Sequence, residues 1–311
     1  MARIQPAPAS VAGGTSSAGR ARVQLAFPAL FVVLWSTGFI AAKFGLPYAP
    51  PLTFLWYRFM LVAILMVAVS LLTRAPWPDS RRQWLHIAVA AWLVHGAYLG
   101  GVFVALADGM PAGTASMLVG LQPILTVLIA WLWLGEAVRL RQWTGLVLGL
   151  VGVWLVVRHK VSFTGSHAGL TAVAVALVGI SIGTLYQKRF CGQVDLRTGA
   201  VVQFGACALL YTPLALLLEH RPVQWVAPFL FALGWSVVVL SVGAISLLYW
   251  LLRHGAAANV ARLFYLVPPV TAVMAYAFFG ETLTLAAIGG MVLIAIGVAL
   301  SRAPSAPVAA R

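Results

Sequence analysis

Ten apolar runs of membrane length follow one another along this chain, parted only by short clusters of charge, Pro and Gly. Breaking at those clusters gives spans at 27–46, 52–72, 84–107, 112–134, 142–158, 168–188, 197–218, 225–252, 256–279 and 284–301. A helix needs about 20 apolar residues to cross a hydrocarbon core, and only helices and closed barrels hide their backbone polar groups there. Barrel strands are shorter and alternate in polarity, and these runs do neither. The expected fold is therefore an all-α integral membrane protein with ten transmembrane helices. Only 8% of the 311 residues are charged, against about 25% in a soluble domain.

The net charge of +14 does not mark a nucleic-acid-binding protein, because the basic residues sit at span ends instead of forming a patch. Two cysteines, Cys191 and Cys207, are too few for a disulfide framework. Residues 1–26 are rich in Pro, Ala, Gly and Ser and lack a signal-peptide core, so a disordered tail is expected there, with a second at 302–311. Placing the N-terminus in the cytosol puts 14 Lys and Arg on the cytosolic side and 4 outside, leaving Arg58 and Arg262 within spans. By the positive-inside rule both termini are expected in the cytosol.

The chain also repeats itself. A shift of 145 residues lays LGEAVRLRQWTGLVLGLVGV (134–153) on FGETLTLAAIGGMVLIAIGV (279–298). Over 105–153 against 250–298 there are 15 identities in 49 positions, where composition alone gives about five. The same shift lays Gly38 on Gly183, Lys43 on Lys188 and Phe59 on Phe204. The two repeats, 27–158 and 168–301, hold five spans each, an odd number. The second must enter the membrane from the opposite side, which is the inverted-topology architecture of many secondary transporters.

At these residues the chain resembles the EamA-type branch of the drug/metabolite transporter superfamily. The resemblance rests on LWSTGFIAAKFGL in the first span, LTFLWYRFM in the second and the paired P…GE…G elements of both halves, and covers 27–301. One departure is Ser36, where the family pattern usually has Gly after Trp. The resemblance implies an alternating-access carrier whose first, third, fourth, sixth, eighth and ninth spans line a central cavity, with the fifth and tenth as scaffold. Family membership does not name the substrate.

Intramembrane ionisable residues are functional candidates by default. His95 and Tyr98 share a face near the middle of the third span, and any protein-borne proton coupling is expected to run through His95; a buried, inert histidine is the alternative. Gly96, Gly100 and Gly101 thin the helix beside it. Arg262, with Asn259 and Tyr265 on the same face of the ninth span, reads either as recognition of an anionic group or as snorkelling to the headgroups. Arg58 needs a partner at its depth, and the Asp108 loop lies on its side; the family pattern also carries Arg here, so it reads as structural or gating, not as substrate-binding. Gln122 joins the polar candidates, and Trp35, Tyr186 and Tyr249 the candidate cavity walls. Pro123 and Pro268 interrupt matched spans and are expected to shape the cavity and its gates. Glu136 and Glu281 begin the last span of each half, where a carboxylate complements the helix dipole. Trp77, Trp84 and Trp225 read as interfacial anchors.

Every carboxylate falls at or near a span end, and no Walker loop, metal cluster or nucleophile constellation occurs. No enzyme and no cofactor is implied. The expected activity is export, or facilitated movement, of a small polar metabolite such as an amino acid, with the substrate and the lipid bilayer as partners. A multidrug exporter of cations is the alternative, weakened by the lack of a cavity carboxylate.

Overall fold

The computed structural model describes residues 17–134, 140–159, 167–192, 194–254, 263–282 and 284–300. The expectations for Glu136, Asn259 and Arg262 lie outside these residues, as does the side chain of Tyr249. The helices are α1 (Ser17–Gly45), α2 (Pro51–Leu72), α3 (Arg81–Ala107), α4 (112–134), α5 (Leu140–His159), α6 (His167–Phe190), α7 (Leu196–Leu218), α8 (227–254), α9 (264–279) and α10 (Leu285–Leu300). Seven are long and apolar enough to cross a membrane, and shorter apolar helices stand at the remaining three positions.

Local chemistry starts the helices where it should. Pro51 opens α2 without wasting a donor, Ser80 caps α3 by accepting from Gln83 N, and Asp195 caps α7 by accepting from Arg197 N. The Arg197 side chain, hydrogen-bonded to Asp195, pulls that carboxyl down to about 2. Gly280 ends α9 at φ +65°, a left-handed conformation that suits glycine.

Four helices depart from regular α geometry, in two matched pairs. Helix α4 breaks into Ala112–Val119 and Gln122–Leu134, just before Pro123, while α9 carries a 3₁₀ turn, Phe264–Leu266, just before Pro268. Proline supplies no N–H and crowds the preceding turn, so both breaks have the same cause. Helices α3 and α8 widen into π-helical stretches at Trp92–Ala97 and Trp235–Ala244. The shift of 145 moves 92–97 onto 237–242, inside the second stretch.

Packing follows the repeat. Helix α5 lies along α10, α2 along α7, and α4 against α9, while α3 packs on α6 as α1 packs on α8. The α5–α10 seam shows the inversion directly. A Cβ on Gly152 would lie 2.7 Å from Gly290 O, and one on Gly297 would lie 2.5 Å from Gly145 O. Equivalent glycines therefore cross over, so α5 and α10 run antiparallel. Small residues at such a seam let helices approach closely in lipid. Leu209, Leu216 and Leu285 are 71–88% exposed on the outside, as a lipid-facing surface requires. Ser36, the departure in the first span, is buried and donates to Val267 O of α9 at 3.3 Å.

Candidate functional site

Two adjoining lobes lie at mid-membrane between the halves. The larger, 150 Å³, is lined by residues that include Trp35, Arg58, His95, Tyr98, Phe204 and Leu240. The smaller, 70 Å³, is lined by residues that include Gln122, Pro123, Phe264, Tyr265 and Pro268. Trp35, Phe39, Tyr98 and Ile180 belong to both walls. Both proline breaks and both π stretches thus border the cavity. Among the described residues, α5 and α10 contribute nothing to it, in line with the scaffold role, but α2 and α7 contribute Arg58 and Phe204, which was not expected.

His95 sits in the α3 π stretch and lies flat against Phe204, with ring centroids 4.7 Å apart and 24° between planes. Its Nε2 is 3.1 Å from Gln203 Oε1. An amide oxygen only accepts, so the ring donates from Nε2 and a neutral imidazole keeps Nδ1 as an acceptor. The wide turn loosens the α3 backbone ladder, and α7 supplies donors to it. Cys207 donates to Ala91 O at 3.3 Å and Tyr211 to Gly96 O at 2.8 Å. Of the three glycines here, Gly101 meets the α6 backbone at Ala172 and Gly100 meets the Tyr211 hydroxyl, whereas Gly96 has room for a side chain.

Trp35 stacks edge-on to Phe264 at 5.1 Å. Gln122 donates to Thr184 of α6 at 2.9 Å. Tyr186 lines neither lobe. Its hydroxyl is 2.7 Å from His86 Nδ1, near the end of α6 at the face where α2 ends and α3 begins. Four of α6's residues beyond Tyr186 remain before its end at Phe190, so its Tyr lies a long way from mid-span.

Arg58 does not pair with Asp108. It is 7% exposed and donates from Nε and Nη2 to Ser241 Oγ of the α8 π stretch, at 3.3 and 3.2 Å. Ser241 in turn donates to Ser236 O at 3.0 Å. Asp108 instead accepts from Gly169 N at 3.0 Å, in the first turn of α6. The reason is direction: Arg58 points across to α8 in the other repeat, while Asp108 stands in the loop after α3, beside the helix end that needs an acceptor.

An open cleft of 720 Å³ lies at the face where α1 ends and α2 begins, and Phe54, Phe103 and Phe229 form a buried aromatic cluster in which Phe103 also lines the larger lobe. Two carboxylates cap helix starts beside this cleft. Glu219 accepts from Leu52 N and Thr53 N at 2.8 and 2.7 Å. Glu281 takes Lys43 Nζ at 2.5 Å and accepts from Ala112 N and Gly113 N at 2.8 and 3.2 Å. Glu281 thus serves the start of α4, not its own helix α10, whose Ala287 N donates to Thr284 Oγ1 instead. Gln203, Phe204 and Ser241 are site residues that the span-by-span reading passed over; the shift of 145 carried the signal, because it lays Arg58 on Gln203.

Comparison with known proteins agrees with this architecture. The profile of the EamA-like transporter family matches residues 24–158 and again 167–303. The chain belongs to that family. Among relatives of this EamA protein, an uncharacterized transporter, YvbV, of Bacillus subtilis is 30% identical over 277 residues, covering 88% of this chain and 89% of the relative. An uncharacterized inner membrane transporter of Escherichia coli, YedA, is 25% identical over 83% of this chain and 84% of its own length. A probable amino-acid metabolite efflux pump of Salmonella typhimurium is 28% identical over 86% of this chain and 91% of its own length. A solved structure at 22% identity superposes with a TM-score of 0.60, covering 88% of this chain and 94% of that one, and shows the fold alone.

Proposed function

We propose that this EamA transporter is an alternating-access exporter of a small polar metabolite of the amino-acid type. The carrying observation is the mid-membrane cavity between the two inverted halves, with aromatic walls and a few polar groups. Carriers of this architecture bind substrate at that depth and rock one group of helices against the other. Size favours a small metabolite over a multi-ring drug. Lobes of 150 and 70 Å³ hold about seven waters at ~30 Å³ each, whereas drug-sized ligands take roughly 300–1,000 Å³. Export is favoured by the Salmonella relative, which is named a probable amino-acid metabolite efflux pump.

The protein sits in this reading in a bacterial inner membrane with both termini in the cytosol, on the strength of the Lys and Arg asymmetry. The face where α1 meets α2, with its 720 Å³ cleft, is then the outer one. Proteoliposomes loaded with unlabelled amino acids, one per preparation, test the reading by counterflow. Uptake of the matching labelled compound above that of protein-free liposomes is expected for at least one of them. Uptake only of lipophilic cations would transfer the protein to the multidrug alternative. Protease access to the terminal tails in inside-out vesicles alone fixes the orientation.

A further inference from the structure

We propose that Arg58 is the specificity residue of the cavity, and that it seats the carboxylate of a monoanionic or zwitterionic substrate. The proposal rests on the transporter reading above and names the chemical class that it carries.

The inverted repeat supplies the argument. Shifting by 145 residues lays Arg58-Phe59 of α2 on Gln203-Phe204 of α7. Both positions do the same structural work. Arg58 reaches Ser241 in the π stretch of α8, and Gln203 reaches His95 in the π stretch of α3. Each side chain ties its helix to the widened turn of the other repeat. The second repeat does this with a neutral amide. A hydrogen bond to a neutral neighbour is all that the position needs, so the positive charge at 58 is surplus to the scaffold.

That charge also meets no carboxylate among the described residues. Among the described residues both hydrogen bonds of the guanidinium go to one serine oxygen, and the ion pairs, Lys43–Glu281 and Asp195–Arg197, leave Arg58 without a carboxylate. A buried cation inside a membrane is costly unless an anion meets it. The guanidinium has five N–H groups and gives two to Ser241, so three remain on a residue that lines the cavity beside His95, Tyr98 and mostly aromatic and aliphatic groups. Its planar fork matches a carboxylate in two-point fashion. Aromatic walls at Trp35 and Phe204 would hold an apolar body behind that head group. The 150 Å³ of this lobe suits one small acid.

The test compares matched acids and amides. Purified wild-type protein in proteoliposomes is assayed with labelled leucine, leucinamide and 4-methylpentanoate, and the set is repeated with phenylalanine, phenylalaninamide and 3-phenylpropionate. The proposal expects the carboxylate-bearing members of at least one set to be moved at least ten times faster than the amide. A charge-assisted pair in a dry site is worth that much. In Arg58→Gln, which installs the residue that the other repeat carries, the acids should fall to the level of the amide while thermal stability stays near wild type. Arg58→Lys should keep the preference for acids and lose several-fold in apparent affinity. If Arg58→Gln does not fold, Arg58→Lys and the wild-type comparison still decide.

Wild-type protein that moves amides as fast as acids overturns the proposal while leaving the transporter reading standing. So does a preference for acids that survives in Arg58→Gln. Movement of amines or quaternary cations alone overturns both readings; failure to move any member of either set overturns the proposal, while the amino-acid counterflow panel decides the transporter reading. Faster movement of phosphorylated analogues than of carboxylates overturns the assignment to carboxylate.

Discussion

Gly101→Leu is expected to yield no folded protein, and Gly101→Ala to lower the thermal midpoint of the purified protein by roughly 2–4 °C. The cause is the backbone contact between α3 and α6. A Cβ at residue 101 would lie 2.2 Å from Ala172 O and 2.9 Å from Ala176 Cβ and N. Carbon and oxygen rest at about 3.3 Å or more, so the helices must part by roughly 1 Å or bend. Neither obstacle is the tip of a flexible side chain, so no rotamer change relieves the clash. Overpacking of this kind costs about 1–3 kcal/mol, more than the ~1 kcal/mol that alanine gains over glycine in a helix. Gly96→Ala is the control. Its Cβ would meet nothing closer than 3.7 Å, so it should fold as wild type does. Thermal unfolding followed by fluorescence, with gel filtration for Gly101→Leu, measures both.

Glu281→Ala is expected to destabilise the protein by about 2–4 kcal/mol, and Lys43→Met by clearly less. Glu281 is 10% exposed and binds three donors from two elements: Lys43 at the end of α1 and two backbone N–H groups at the start of α4. Hydrogen bonds to a charged group are worth about 1.5–3 kcal/mol, and losing the carboxylate strands buried donors. Lys43 is 29% exposed, so its own removal loses one contact of a partly solvated pair, and water replaces part of it. The inequality separates two roles. An ion pair alone predicts equal losses from either partner; a helix cap predicts that Glu281 matters more. Glu281→Gln should fall between, since the amide oxygen still accepts from one N–H. Urea or thermal unfolding of the three variants decides between the roles.

The fold was legible because hydropathy is summed over some twenty residues at a time, and no single residue can hide it. The inversion was legible because it follows from an odd number of spans per repeat. Single residues fared according to how far they stand out from their span. His95, Tyr98, Gln122 and Arg58 are polar groups in apolar runs, and all four line the mid-membrane lobes. Partners were not legible. Asp108 is near Arg58 in the topology, yet Arg58 crosses to α8, because packing between repeats sets direction and no span-by-span reading contains it. Glu281 was read against its own helix, but the left-handed turn at Gly280 carries it to α4. Tyr186 shares the aromatic composition of a cavity wall but bonds His86 near the helix end. Gln203 and Ser241 are common residues with weak signals of their own. The π stretches that turn His95 and Ser241 toward α7 and α2 have no sequence signature at all, though they recur at matched positions in both halves.

The central claim is that the lobes around His95 and Arg58 are one site opened in turn to the two sides of the membrane. A cysteine at Leu99, a residue of the larger lobe, tests it most directly, in protein whose own Cys191 and Cys207 are replaced by serine. A small membrane-impermeant methanethiosulfonate is added to right-side-out and to inside-out vesicles. The account predicts modification from both faces, loss of counterflow on modification, and slower labelling when a transported acid saturates the site. Labelling from one face only, or from neither, in protein that still carries out counterflow would contradict it.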